Sequence, residues 1–142
     1  SLNVAQKLQP SSCGYLMKGL TFEGLRQYDS SLANYNKALL MDNDIFDAHK
    51  KRAIYRYEAN NWKGAYEDLN QMRRINPSSP ATFRLSGMIK SNLKDYYGCI
   101  IDMAAFVKTD TTDFESWQVK AFCHMQVKTI RMRSLTTPDA LR

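Results

Sequence analysis

The side chains best suited to nucleophilic or metal chemistry in this chain are two histidines, His49 and His124, and three cysteines, Cys13, Cys99 and Cys123. A zinc-type site needs three or four such ligands at a spacing that one element, or two packed ones, can bring to a point. Neither histidine has a cysteine or carboxylate at that spacing. Cys123 adjoins His124, but neighbours on a helix point about 100° apart and cannot form a thiol–imidazole dyad. No P-loop, GxGxxG or HExxH pattern occurs. The expectation is therefore no catalytic residue, no metal and no cofactor. His49 and His124 read as core-edge residues standing in for aromatics, and Cys99 as buried and inert. Three cysteines are odd in number and form no CxxC pair, which predicts reduced thiols in a cytoplasmic, reducing setting rather than a disulfide framework.

The bulk properties bound the rest. The length of 142 residues is that of one domain, enough to bury a continuous stacked core. A net charge of +6 and a pI near 9.3 point to an acidic partner or surface, since charge governs association rather than fold. No apolar run reaches the length of a membrane span, and the first residues lack the character of a signal peptide.

The elements that position these side chains emerge from a repeat. At a spacing of thirty-four residues, Gly19, Ala53, Gly87 and Ala121 form a column of small residues, and Tyr28, Trp62 and Tyr96 an aromatic one. A third column runs Ser31, Ala65, Cys99, and a fourth, four residues ahead of the small column, runs Tyr15, His49, Phe83, Trp117. Such a period means stacked supersecondary units, each covered by its neighbours.

At these columns the chain resembles the tetratricopeptide repeat (TPR) family, whose unit is two antiparallel helices. Repeat one, 12–45, matches through Tyr15, Gly19, Phe22, Tyr28, Ser31, Tyr35 and Ala38; repeat two, 46–79, through Ala53, Trp62, Ala65, Leu69 and Pro77. Repeat three, 80–113, matches through Phe83, Gly87, Tyr96, Cys99 and Met103, and a partial fourth, 114–127, through Trp117 and Ala121. The chain departs from the pattern where a basic residue or serine precedes the small column (Lys18, Arg52, Ser86, Lys120) and where Met72 and Phe106 replace alanine. The resemblance implies an all-α, right-handed superhelix of antiparallel helix pairs with close helix contacts at the small column. Residues 1–11 then read as the end of a preceding repeat closed by Pro10, and 128–142 as a degenerate repeat or tail, with a helix start at Thr136-Thr137-Pro138-Asp139.

Periodicity and stop signals predict helices over about 12–25, 28–41, 46–59, 62–75, 80–93 and 96–108, with a seventh from Phe114. Asp42-Asn43-Asp44 offers caps for the third, and Ser79 with Pro80 opens the fifth.

With chemistry excluded, a surface remains. The resemblance implies that the first helix of each unit lines a concave groove. The residues it assigns are Leu16, Met17, Leu20, Lys50, Lys51, Ile54 and Tyr57, then Arg84, Leu85, Met88, Val119 and Phe122. An apolar stripe with adaptable methionines suits a peptide or helix, and Lys50, Lys51 and Arg84 beside it favour an apolar or acidic-apolar segment. The subgroup that clamps acidic chaperone carboxyl termini places lysine, asparagine and arginine where this chain has Leu16, Leu20, Lys51, Ala81 and Leu85, so that clamp is not expected. The expected function is a non-catalytic interaction scaffold or adaptor with a protein partner, with possible self-association through exposed repeat ends. Nucleic-acid binding through Lys18, Arg52, Arg56, Lys90 and Lys120 is the alternative. It is disfavoured because those residues fall on the opposite helix face, where they reach carboxylates such as Asp68 or Asp102, and no RNA-recognition signature accompanies them.

Overall fold

A short turn bearing one left-handed residue recurs three times and defines the architecture. At Arg26, Asn60 and Lys94 the backbone takes φ values of 59°, 62° and 64°. Each is the residue after a helix C-cap, and each closes a Schellman motif. The N–H groups of Arg26 and Gln27 reach the carbonyls of Glu23 and Phe22, those of Asn60 and Asn61 reach Tyr57 and Arg56, and those of Lys94 and Asp95 reach Ser91 and Lys90. These bonds satisfy carbonyls that a helix end would otherwise leave open, and they reverse the chain within three residues.

The computed structural model describes residues 11–136, and these comprise seven helices and no strand. They are α1 (Ser12–Gly24), α2 (Tyr28–Met41), α3 (Phe46–Glu58), α4 (Trp62–Ile75), α5 (Pro80–Asn92), α6 (Tyr96–Thr109) and α7 (Phe114–Thr136). The starts follow local chemistry. Ser11 Oγ accepts the Gly14 N–H at 2.9 Å, Asn61 Oδ1 that of Gly64 at 3.0 Å and Asp95 Oδ1 that of Gly98 at 3.0 Å. Pro80 opens α5 behind Ser79, where its missing N–H costs nothing, although Ser79 makes no side-chain cap bond. Asp44 does not cap α3 as expected; Ile45 holds that position, and Asp42 instead accepts the Asp44 N–H within the turn.

The chain divides into two units at the Ile75–Asn76 bond. In the first, α1 pairs with α2, α3 with α4, and α2 also packs on α3. Its core holds Tyr35, Ala38, Ala48, Ala53, Ala65, Leu69 and Met72, all fully buried. In the second, α5 pairs with α6 and α7 packs on both. Its core is built from Leu85, Ile89, Cys99, Met103, Phe106 and Cys123.

Three of the four small-column residues sit at close contacts. A Cβ on Gly19 would lie 2.5 Å from the Tyr35 ring, one on Gly87 would lie 2.8 Å from Met103, and Ala53 is fully buried. Ala121 does not: it is exposed. Its column needs a second helix folded back on α7, and α7 instead runs straight through 128–136, so among the described residues nothing packs there. The expected end of a preceding repeat (save Ser11) lies outside the described residues; of the expected helix start at Thr136-Thr137-Pro138-Asp139 only Thr136 is described, and it is the last residue of α7.

Candidate interaction surfaces

In the second and third repeats the polar residues beside the small column, Arg52, Arg56, Ser86 and Lys90, are spent inside the units, whereas Lys18 of the first is exposed. Asp68 on α4 is 1% exposed, yet it is a carboxylate, and burial alone would make it costly. Arg52 on α3 grips it with two nitrogens, Nε at 3.0 Å from Oδ2 and Nη2 at 2.7 Å from Oδ1. Arg56 donates to Oδ2 at 2.9 Å and to the Gly64 carbonyl at 3.1 Å. His49 places Nδ1 3.1 Å from Oδ1 and Nε2 2.8 Å from the Asn43 carbonyl. Burial pushes the Asp68 carboxyl up, but the hydrogen bonds from His49 and Arg52 and the charges of Arg52 and Arg56 outweigh it and hold the group below the ordinary carboxylate range. The second unit repeats the arrangement on a smaller scale: Ser86 and Lys90 of α5 donate to Asp102 of α6. Arg52, Arg56 and Lys90 are thereby neutralised, as their place opposite the lead-helix face led one to expect.

His49 is buried as expected, though as a polar partner rather than as a substitute aromatic. Its partner, nineteen residues on, was hidden because the two meet only across the α3–α4 hairpin. Among the described residues no three of His, Cys, Asp and Glu gather at one point.

The cysteines overturn an expectation. Cys99 and Cys123 are joined as a disulfide between α6 and α7, with Cα atoms 6.5 Å apart, and only Cys13 among them is free. Cys99 is buried as predicted, but it is not a reduced thiol. Its partner lies in the next repeat, at a spacing that no CxxC rule detects.

In the first unit, the lead helices α1 and α3 carry the expected surface residues. Met17 is 57% and Leu20 37% exposed, while Leu16, Lys50, Lys51, Ile54 and Tyr57 are half-buried. Lys51 bridges the two helices by donating to Glu23 at 2.9 Å, and the Tyr35 hydroxyl donates to the other Glu23 oxygen at 2.7 Å. Burial pushes Glu23 up, but these two bonds and the Lys51 charge hold it below its ordinary value. Burial, and then the same contact with Glu23, raises the Tyr35 phenol. Tyr57 packs edge-on against Trp62 at 5.0 Å.

In the second unit the set separates. Phe122 is 46% exposed and Val119 half-buried, whereas Leu85 and Met88 are buried. Arg84 is engaged by Asp113 at 2.7 Å and Glu115 at 2.6 Å, two carboxylates that outweigh its partial burial and raise its pKa. The sequence places it beside the apolar centre but does not show that its partners flank the start of α7, Asp113 just before it and Glu115 in its first turn.

Among the described residues no helix is long and apolar enough to cross a membrane.

No family model and no curated protein matches the chain. Solved structures do. The first TPR domain of Spaghetti (RPAP3), bound to the HSP90 peptide SRMEEVD, aligns with a TM-score of 0.74 at 16% identity, covering 83% of this chain and 94% of that one. The Sgt2 TPR domain of Aspergillus fumigatus aligns at 0.71 with 14% identity, covering 92% and 87%. The second TPR domain of human RPAP3, in complex with the HSP70 peptide SGPTIEEVD, aligns at 0.67 with 13% identity, covering 80% and 98%. The chain has the all-α, helix-pair fold of a tetratricopeptide-repeat domain.

Proposed function

We propose that the chain is a non-catalytic protein-interaction module whose lead-helix faces bind an apolar or acidic-apolar segment of a partner protein. The observation that carries this reading is on α1 and α3 of the first unit, which Lys51 ties together through Glu23: Met17 and Leu20 of α1 are exposed, and Ile54 and Tyr57 of α3 are half-buried, as are Lys50 and Lys51. A stripe of that kind, rimmed by cations, matches the chemistry of an amphipathic or extended peptide carrying carboxylates. The likeness to domains solved with bound peptides supports it.

The segment is not held by a carboxylate clamp in this reading. Leu16 and Leu20 offer no charge, Lys51 is already paired with Glu23, and Leu85 is buried. Titration of the peptides SRMEEVD and SGPTIEEVD should therefore give no saturable binding; micromolar binding of either would establish a clamp and refute this point. For the surface itself, Ile54→Glu puts a charge into the stripe, which a bound apolar segment must desolvate. Partners recovered with the unmutated chain should be lost with Ile54→Glu while helicity is unchanged, and their persistence would place binding elsewhere. The pairing of Arg52, Arg56 and Lys90 with buried carboxylates argues against nucleic acid. Binding of RNA or DNA that survives physiological salt would reverse that judgement.

A further inference from the structure

One helix carries a run of basic side chains with no acidic residue among them. From Ser116 to Thr136, α7 contains no aspartate or glutamate but holds Lys120, Lys128, Arg131 and Arg133. Lys120 lies over the Trp117 ring at 5.0 Å. No described carboxylate forms an ion pair with Lys128, Arg131 or Arg133, whereas Lys51, Arg52, Arg56, Arg74, Arg84 and Lys90 each have one. The same helix borders a groove of about 550 Å³ against α6, within the second unit. Its apolar wall is Tyr97, Ile100, Val127, Met132 and Leu135, and its basic members are Lys128 and Arg131, with His124 beside them. On α7 these residues recur at spacings of three and four, so they form one stripe in which Lys128 and Arg131 are flanked along the helix by Val127 on one side and Met132 and Leu135 on the other. Tyr97, Met132 and Leu135 are 62%, 57% and 64% exposed.

We propose that this α6–α7 groove is a second docking site, separate from the lead-helix face of the first unit, and that it takes an acidic amphipathic helix of a partner protein. Leucine-type side chains of that helix fill the cleft beside Val127 and Met132, and its carboxylates meet Lys128 and Arg131. Charge selects this occupant. A second copy of the chain would set like charges against each other, which is repulsive at close range. A flat bilayer does not match a concave cleft between two helices, and a phosphate backbone gains nothing from five apolar side chains. An acidic helix satisfies both halves of the stripe, with oppositely charged groups guiding encounter and apolar burial supplying affinity.

The test is fluorescence anisotropy of the full chain with a synthetic amphipathic helix that carries leucines on one face and glutamates beside them. A sequence-scrambled peptide of the same composition is the control. The designed peptide should bind at least about tenfold more tightly than the scrambled one, as expected when a central apolar anchor is in place. Lys128→Glu with Arg131→Glu, and separately Met132→Asp, should each weaken binding by about tenfold or more. All three positions are exposed, and circular dichroism checks that the helices remain. All of these measurements are made in the Ile54→Glu background, which removes the proposed lead-helix surface as a second acceptor of the same peptide, so the site stands or falls independently of it. Equal binding of the scrambled peptide, full binding by the α7 variants, no binding at all, or tighter capture by phosphatidylserine vesicles than by the peptide would each overturn the proposal.

Discussion

The two units bury a carboxylate at the same place in the repeat and hold it differently. Asp68 and Asp102 stand thirty-four residues apart, each on the second helix of a pair and facing the first. In the unit ending at Ile75, two arginines and a histidine converge on the acid, and the hairpin is closed by charge. In the unit beginning at Asn76, a serine hydroxyl and a lysine serve, and the further tie is covalent, from Cys99 to Cys123. A repeat fixes where a polar tie is needed, because the lead helix presents residues one turn apart to the same point on its partner. It leaves open which chemistry fills the need.

The largest effect should come from removing the anion at the centre of the first arrangement. Asp68→Asn keeps the shape but leaves Arg52 and Arg56, both only partly exposed, without the counter-charge they share and puts a neutral amide against His49, a change that costs about 3–5 kcal/mol. Asp102→Asn should cost less, since Lys90 carries its charge on a flexible stem that can swing to water. Denaturant unfolding of both variants measures the difference; equal losses would erase the contrast between the units. pH sharpens it. Asp68 binds its proton more weakly in the fold than in the unfolded chain, so its contribution is full above the ordinary carboxylate pKa of about 4 and is lost as pH falls below that through the depressed folded value. The acid limb of the stability curve should flatten in Asp68→Asn.

The covalent tie comes next. It closes a loop with a sequence separation of 24, for which the chain-entropy account gives about 3 kcal/mol. Reduction, or Cys123→Ser, should lower the stability of the second unit by that amount; the count of thiols that react with a maleimide in the denatured chain should rise from one to three on reduction and to two in Cys123→Ser. Three reactive thiols before any reductant is added would remove the disulfide from the comparison.

How much of this was legible in the residues follows from the range of each interaction. Helix ends were readable to within a residue or so because Ser11, Asn61, Asp95 and Pro80 act locally. The arginines at the Asp68 site were readable because Arg52 and Arg56 recur one turn apart in register with it. His49 as a partner of Asp68, the Cys99–Cys123 bond and the engagement of Arg84 by Asp113 and Glu115 were not. Each joins residues of different helices through a rotamer or a packing distance that no periodicity encodes. Ala121 shows the opposite failure, a column in perfect register whose partner helix is not there among the described residues.

A third, smaller contrast lies in the small column. Gly19→Ala sets a methyl 2.5 Å from the flat, fully buried ring of Tyr35, which is also pinned by its bond to Glu23, so the ring must be displaced. Gly87→Ala meets Met103, a flexible side chain that can turn aside. The first should cost about 1–3 kcal/mol and the second clearly less, as overpacking against a rigid neighbour demands. Thermal unfolding decides it. An unchanged midpoint for Gly19→Ala would mean that the Tyr35 ring yields without cost and that the small column sets no close contact between α1 and α2.

The smallest effect separates the turns. Asn60 in the first unit and Lys94 in the second occupy the same left-handed position of a Schellman turn, but asparagine tolerates that conformation and lysine pays the steric cost of its Cβ against the following carbonyl. Glycine at this position removes the clash, and although it also widens the freedom of the unfolded chain, the balance where φ is positive favours it. Lys94→Gly should therefore stabilise by about 1 kcal/mol, and Asn60→Gly by appreciably less. Lys94 has no described ion pair to lose, so the substitution tests backbone strain alone. A destabilised Lys94→Gly, with its helix content intact, would show that the unfolded chain's freedom outweighs the clash. The turn of the second unit would then be no more strained than that of the first.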